Sequence, residues 1–233
     1  MAEPASVVLV HGAWHGAWCW DKVLAPFGAA GVKVEAVELP LTSLADDVAA
    51  TRAAVDAVGG PVVLCGHSYG GAVITDAGDH PAVRHLVYLC AFALDPGEDV
   101  TTAAAGVEVA SSAIADAFRF SEDGTMVHLD PEGARTAFYL DCDRADADAA
   151  LERLRPMAFA CFTAPATKTP RRDRESTYVV CTEDEAIHPE LQRVLAKRCT
   201  TSVEWPTSHS PFVSQPNLVV DLLTDRASNG SLR

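Results

Sequence analysis

The sequence has little positive charge and no long apolar run. Its 233 residues include 18 Lys and Arg against 32 Asp and Glu, which gives a formal net charge of −14. A surface of this sign repels phosphate backbones and anionic lipids, so we expect neither nucleic acid nor a membrane as a partner. The apolar segment 7–10 follows no basic region and is far too short to span a bilayer. These absences predict a cytoplasmic protein.

Paired cysteines are also missing. The seven cysteines are an odd number, include no Cys-x-x-Cys pair and show no Cys/His spacing typical of a zinc site. We therefore expect neither a disulfide framework nor a metal site. Cys65, Cys90 and Cys181 each end an apolar run, where a thiol behaves as a small buried hydrophobe.

Strand-like and helix-like segments alternate over the first hundred residues, and no linker-like stretch divides the chain. Short continuous apolar runs are typical of parallel strands that are covered on both faces. We interpret residues 1–233 as one α/β domain, with a mostly parallel sheet, right-handed crossovers and helices on both faces. The strands expected in this part are 6–10, 32–39, 83–90 and the run that begins at Pro61.

The pattern changes between about residues 95 and 174, where strand runs are scarce and alanine-rich stretches dominate. Helices are predicted here around 103–118, 131–138 and 145–154. Aromatic side chains, among them Phe138 and Phe159, are concentrated in the same segment. We interpret it as a helical cap that packs on the sheet and brings an apolar wall to the site. Alternation resumes with strands at 177–181 and 201–205 and helices at 189–198 and 216–223.

One turn of the chain has the pattern of a catalytic nucleophile. Residues 66–70 read Gly-His-Ser-Tyr-Gly and lie between an apolar strand-like run and a helix-compatible segment. This is the context of a nucleophile elbow, a strained turn that exposes a serine hydroxyl above the sheet. Gly66 and Gly70 allow so sharp a turn because they are small. Ser68 is therefore the candidate nucleophile, and His67 is expected to point away from its hydroxyl.

A serine nucleophile needs a histidine base, and that histidine needs a carboxylate to fix its tautomer. In an elbow architecture these residues follow in the chain order Ser, acid, His. His209 comes just after the last predicted strand and is the candidate base. Asp184 comes just after the preceding one and is the candidate acid. The alternatives are His188 for the base, and Glu183, Glu185 or Asp95 for the acid.

The oxyanion of a tetrahedral intermediate needs N–H donors close to the nucleophile. The Tyr69 amide is one candidate because it lies where the helix after the elbow starts. The Ala13 amide, in the turn after the first strand, is the other. His11 and His15, in the same turn, are expected to hydrogen-bond to backbone. The candidate substrate contacts come from this turn, from the cap and from the loop after the base: Gly12, Trp14, Phe138, Phe159 and Ser210.

Four motifs spread over the body of the chain carry a family resemblance. They are residues 11–18 (HGAWHGAW), residues 66–71 (GHSYGG), residues 182–184 with Ile187 and Pro189, and Ser208-His209 with residues 213–216. With them the chain resembles a small α/β-hydrolase of the group containing plant methyl-ester esterases, hydroxynitrile lyases and bacterial esterase relatives. The cap matches weakly. The resemblance implies an α/β-hydrolase fold, a triad of Ser68, His209 and Asp184, and an oxyanion hole of the Ala13 and Tyr69 amides.

The resemblance also favours an esterase over a lyase. The hydroxynitrile lyases of this group carry threonine directly after the first motif histidine and lysine directly after the catalytic histidine. Gly12 and Ser210 occupy those places here. We predict a serine hydrolase that cleaves a small, neutral, apolar carboxylic ester without metal or organic cofactor. A ligand receptor and a non-hydrolytic lyase or cyclase on this fold are the alternatives, and a homodimer is left open.

Overall fold

The computed structural model describes residues 4–107 and 112–229. The strands in these ranges are β1 (Ser6–Val10), β2 (Val34–Val37), β3 (Val62–His67), β4 (Val83–Leu89), β5 (Phe118–Phe120), β6 (Met126–Leu129), β7 (Met157–Ala158), β8 (Glu175–Cys181) and β9 (Thr201–Trp205). The α-helices are α1 (Asp21–Ala29), α2 (Leu44–Val58), α3 (Gly70–Ala77), α4 (Ala113–Ala117), α5 (Pro131–Phe138), α6 (Arg144–Leu151), α7 (Ala160–Thr163), α8 (Pro189–Ala196), α9 (Pro211–Ser214) and α10 (Pro216–Asn229).

Six of these strands form the central sheet, in the spatial order β2-β1-β3-β4-β8-β9 and with every neighbouring pair parallel. Every residue of β1 and of β3 is buried, which requires cover on both faces of the sheet. Helix α10, which packs on α1, contacts both strands, and so does α3, which packs on α2. The edge strands β2 and β9 are only partly buried. The α/β fold predicted from the alternation is confirmed.

The order of the strands decides where loop residues meet. Because all six strands are parallel, their carboxyl ends lie at one edge of the sheet. The turn after β1, the elbow after β3 and the loops after β8 and β9 therefore open at that edge. In open α/β sheets this is the edge where ligands bind.

The cap, which is the segment between β4 and β8, is not the purely helical insertion that was predicted. It contains a second sheet, in which β6 pairs antiparallel with both β5 and β7. The helix expected at 103–118 was wrong: residues 101–106 form turns, 108–111 lie outside the described ranges, and only Ala113–Ala117 is helical. Gly106, at φ +78°, ends the turns, and the alternating Phe118-Arg119-Phe120 suits a strand. Helices α5 and α6 match the two other helices predicted there.

The cysteines are packing residues. All seven are free thiols, and Cys65, Cys90 and Cys181 are completely buried. Burial raises the pKa of the Cys142 and Cys161 thiols to about 12, so these two stay protonated at neutral pH.

None of the helices in the described part of the chain combines the length and the apolar character that crossing a bilayer requires.

A histidine near the start of β4 links the stability of the fold to pH. His85 on β4 has its Nε2 atom 2.9 Å from Thr177 Oγ1, and burial, together with the charge of Arg226, lowers its pKa from 6.5 to about 4. The folded protein therefore holds this ring neutral at pH 5, where the unfolded chain protonates it. Below pH 6.5 the unfolded state gains a proton that the folded state does not, so the free energy of unfolding falls as the pH falls towards 4.

We expect His85→Gln to flatten this pH dependence. Urea unfolding followed by circular dichroism at intervals between pH 7 and 4.5 should show a slope smaller by up to one proton, which is about 1.4 kcal/mol per pH unit. Other buried histidines contribute to the slope of both proteins, so the difference between the two curves is the quantity to measure. Parallel curves for wild type and variant would contradict the linkage.

Candidate active site

Ser68 occupies a strained turn between β3 and α3. Its φ is +53°, in the left-handed region that residues other than glycine rarely adopt. Its amide donates to Leu89 O at 3.3 Å, and its carbonyl accepts from Phe92 N at 3.1 Å, which hold the strained conformation. A Cβ at position 66 would lie 2.4 Å from Gly70 O, so glycine is required there. The backbone is that of the nucleophile elbow expected from the motif.

A buried carboxylate orients His209. The Nδ1–H of His209 donates to Asp184 Oδ2 at 2.7 Å, and both side chains are buried. Asp184 Oδ1 accepts from the amides of Ala186 and Ile187 at 2.7 and 2.8 Å, and its Oδ2 accepts from Gln192 Nε2 at 2.8 Å. With the proton on Nδ1, the Nε2 atom of a neutral His209 carries the lone pair. This is the tautomer that a general base requires.

The alternatives for base and acid lie elsewhere. Asp95 forms an ion pair with Arg171, and His188 caps α8, where its Nδ1 accepts from Glu190 N at 3.3 Å. The two glutamates that flank the acid are exposed: Glu183 and Glu185. Within the described ranges none of these side chains makes a hydrogen bond or ion pair with His209. The geometry therefore favours Asp184 among the acids considered.

Gly12 packs against Ser68 and His67, and His67 lies beside His209. A Cβ at Gly12 would lie 2.9 Å from both Ser68 Cβ and His67 Nδ1, and the rings of His67 and His209 are 4.6 Å apart. In the described part of the chain neither Ser68 Oγ nor His209 Nε2 makes a hydrogen bond, and Nε2 is buried. Hydrogen bonds of this kind often form fully only when a substrate is in place.

His67 supports the loop that carries the candidate base. Burial holds its pKa well below 6.5, and its Nε2–H donates to His209 O at 2.9 Å. The thiol of Cys90 donates to the same carbonyl at 3.4 Å. The strand pattern points His67 away from the exposed hydroxyl, but it gives no sign that the ring reaches the His209 loop. That contact depends on tertiary structure.

The turn after β1 supplies one candidate oxyanion donor, and the start of α3 supplies the other. Among the hydrogen bonds of the described residues, neither the Ala13 amide nor the Tyr69 amide donates to an acceptor. The Tyr69 amide also lies at a helix N-terminus, where the backbone dipole favours negative charge. Trp14, which follows Ala13, has a φ of +60°. Two unused N–H groups near a serine hydroxyl suit a developing oxyanion.

Both histidines of this turn bind backbone, as the sequence predicts. His11 Nδ1 lies 2.8 Å from Gly12 O, and His15 Nδ1 lies 2.7 Å from Ala13 O. Burial lowers the pKa of His11 to about 3 and that of His15 to about 4. Both rings are therefore neutral at pH 7, with the proton on the Nδ1 that faces the carbonyl.

Aromatic side chains lead from the base into the cap. Phe138 stacks on His209 with ring centroids 5.4 Å apart, and Trp14 packs on Phe138 at 6.0 Å and on Phe162 at 5.4 Å. Phe159 contacts Phe162, with ring centroids 6.2 Å apart, and also Phe120 at 5.4 Å. Of the five substrate contacts predicted, Gly12, Trp14 and Phe138 thus lie around Ser68 and His209. Ser210 is buried beside the base, with its Oγ unpartnered among the described residues.

Comparison with known proteins decides the family. A model described as "Alpha/beta hydrolase family" matches residues 7–222, which is most of the chain. The chain belongs to the alpha/beta hydrolase family.

Relatives of this hydrolase include enzymes of fungi, plants and bacteria. It is 30% identical to the alpha/beta hydrolase nvfD of Aspergillus novofumigatus, over 97% of this chain and 98% of that protein. It is 27% identical to the pFDCC methylesterase MES16 of Arabidopsis thaliana, over 92% of both chains. The crystal structure of a pyrethroid hydrolase from Sphingobium faniae superposes with a TM-score of 0.86 at 23% identity, over 96% of this chain and 97% of that chain. The fold and the family resemblance inferred from the motifs are confirmed.

One buried carboxylate in this alpha/beta hydrolase was missed by the sequence reasoning. Asp47 on α2 is completely buried, and burial raises its pKa. Its Oδ2 accepts from the hydroxyl of Tyr69 at 2.6 Å, and its Oδ1 accepts from Leu41 N at 2.8 Å. The contact anchors the side chain of Tyr69, the residue directly after Ser68. An aspartate early in a helix is typical of a surface cap, so no local signal distinguished this one.

We expect Tyr69→Phe to destabilise the fold by about 1–3 kcal/mol, because a buried carboxylate oxygen loses its donor. Urea unfolding would measure the loss. Tyr88→Phe is the matched control, since the Tyr88 hydroxyl is also buried but meets the neutral Thr75 hydroxyl at 3.2 Å. The control should lose less. A Tyr69→Phe protein as stable as wild type would show that Asp47 needs no such partner.

Proposed function

We propose that the protein is a serine hydrolase that cleaves carboxylic esters through an acyl-enzyme. The observation that carries the proposal is the His209–Asp184 hydrogen bond of 2.7 Å, which leaves the His209 Nε2 lone pair free beside the strained Ser68 turn. The methylesterase named among the relatives supports the same reaction class. In this proposal Ser68 is the nucleophile, His209 the base and Asp184 the acid.

Acylation begins when Ser68 Oγ attacks the ester carbonyl carbon while its proton passes to His209 Nε2. The carbonyl oxygen becomes an oxyanion and accepts hydrogen bonds from the Ala13 and Tyr69 amides. Each donor of this kind contributes about 3 kcal/mol in the transition state. Asp184 stabilises the imidazolium that forms and keeps its orientation. When the intermediate collapses, the alcohol leaves with the proton from Nε2.

Deacylation repeats these steps with water as the nucleophile. His209 Nε2 takes a proton from the water as its oxygen bonds to the acyl carbon, and the same two amides hold the second oxyanion. Collapse breaks the bond to Ser68 Oγ, which takes the proton back, and the carboxylic acid is released. These steps use only side chains and backbone amides, so the proposal includes no metal and no organic cofactor.

The surroundings of the base favour a small, neutral and apolar ester over the substrates of the alternatives. Phe138 and Trp14 present aromatic surface next to His209. At position 12, where lyases of the resembling group carry threonine, an added Cβ would meet Ser68 and His67 at 2.9 Å. Position 210 offers a serine hydroxyl and no cation. Both positions support ester hydrolysis over cyanide release.

Ser68→Ala and His209→Ala should each lower kcat on a p-nitrophenyl ester by about a thousandfold or more, because nucleophile and base act as one unit. Circular dichroism should show both variants folded. A phosphonate directed at serines should add covalently to Ser68 in the wild type, as peptide mass mapping would show. Undiminished turnover by Ser68→Ala would favour a non-hydrolytic enzyme, and single-turnover retention of ligand would favour a receptor.

The acid is tested by Asp184→Asn, which we expect to lower kcat by about 10³–10⁴-fold, since an amide at this position no longer selects the His209 tautomer. Glu183→Gln and Glu185→Gln are the matched controls, because both side chains are exposed neighbours of Asp184. They should keep kcat within about twofold of wild type. If a glutamine variant lost kcat while Asp184→Asn kept it, the acid of the triad would be that glutamate and not Asp184.

A further inference from the structure

A short segment of the cap touches both loops that carry the proposed chemistry. It consists of residues 138–141, at the end of α5, and we call it the contact segment. Phe138 stacks on His209, Tyr139 reaches His15 in the turn after β1, and Asp141 reaches Ser208 in the loop after β9. Leu140 between them is exposed. Nothing in the proposed reaction steps requires these contacts, so their arrangement calls for a separate explanation.

The Tyr139 contact leads directly to one oxyanion donor. Its hydroxyl lies 2.7 Å from His15 Nε2, and both groups are buried. Because the neutral His15 ring uses its Nδ1–H on Ala13 O at 2.7 Å, its Nε2 must accept, and the Tyr139 hydroxyl donates. A chain of two hydrogen bonds therefore joins the cap to Ala13, the residue whose amide we assign to the oxyanion.

Other cap residues hold the same turn. Arg155 donates its backbone N–H to Trp14 O at 2.9 Å and its Nε–H to His15 O at 2.8 Å. The indole N–H of Trp14 donates to Val127 O at 3.0 Å. Trp14 has a φ of +60°, a conformation that persists only where its surroundings fix it. The cap supplies part of that restraint.

The second contact leads to the base. The carboxylate of Asp141 accepts from Ser208 N at 3.1 Å and from the Ser208 hydroxyl. Ser208 directly precedes His209, and Phe138 covers the face of the His209 ring with an interplanar angle of 25°. The base is thus held by Asp184 at Nδ1, by His67 and Cys90 at its carbonyl, and by the contact segment at its neighbour and its face.

We infer that Tyr139 and Asp141 are positioning residues of the active site. Tyr139 fixes Ala13 through His15, and Asp141 fixes His209 through Ser208, so the cap sets the separation of oxyanion donor and base. The inference rests on the proposed function. Displacing a catalytic group by about 1 Å can cost a hundredfold in rate, so the loss of either contact acts on kcat.

The test compares Tyr139→Phe and Asp141→Ala, which remove the hydroxyl and the carboxylate, with matched controls on a p-nitrophenyl ester. Each variant should lower kcat about tenfold or more while KM stays within about twofold, because ground-state contacts are unchanged. Tyr88→Phe also removes a buried tyrosine hydroxyl, and Asp148→Ala also removes a cap carboxylate, one paired with Arg135. Both controls should keep kcat and KM within about twofold of wild type.

A double-mutant cycle tests the connection from Tyr139 to Ala13. His15→Asn keeps an N–H that can reach Ala13 O but is too short to meet Tyr139. If Tyr139 acts through His15, the double variant Tyr139→Phe/His15→Asn has a kcat within about twofold of the slower single variant. A kcat lowered by the product of the two single-variant losses would contradict the connection from Tyr139 through His15. Ser208→Ala, which removes the hydroxyl bound by Asp141, gives the corresponding check should Asp141→Ala fail to fold.

The outcomes separate this inference from the proposed function. A wild type that turns over no ester, or one whose turnover survives Ser68→Ala, overturns the proposed function. An active wild type with kcat unchanged in Tyr139→Phe and Asp141→Ala overturns the inference alone. A lowered unfolding free energy without loss of kcat also overturns it, because the contacts would then be merely structural.

Discussion

The site depends on one buried hydrogen bond, that between Asp184 and His209. A carboxylate removed from water is costly unless its oxygens are fully satisfied. Asp184 meets this requirement with two backbone amides, the Gln192 amide and the His209 ring. Three of the four donors come from the loop after β8 and from α8. They hold the carboxylate in place independently of His209. The ring can then occupy one orientation only.

The parallel sheet places the loops that carry this pair at the same edge as the Ser68 turn. The strand order puts β3 between β1 and β4, with β8 and β9 beyond. Residues far apart in the chain therefore meet at one edge: Ser68 after β3, Asp184 after β8 and His209 after β9. The elbow imposes a second constraint, since its backbone fits only where positions 66 and 70 lack side chains. Fold and site are therefore specified by the same few backbone features.

Much of this could be predicted from the sequence because the signals are local. Apolar runs of strand length and the glycines around Ser68 each act over a few residues. The cap was harder. Its small sheet pairs Phe118 with Leu129 and Met126 with Ala158, which joins separate segments of the chain. The helix predicted before this sheet rested on alanine content, and helix propensity is a weak guide that tertiary context often overrides. The buried Asp47–Tyr69 and Tyr139–His15 contacts join distant segments and leave no pattern in the sequence.

Three neutral imidazoles surround the proposed base. Burial keeps the pKa of His11, His15 and His67 far below 6.5, and each ring binds a backbone carbonyl. None of them can compete for a proton released from the serine hydroxyl at neutral pH. In the proposed reaction the proton of the Ser68 hydroxyl can therefore move only to His209. The positive charge that forms on this ring lies next to the Asp184 carboxylate, which compensates it.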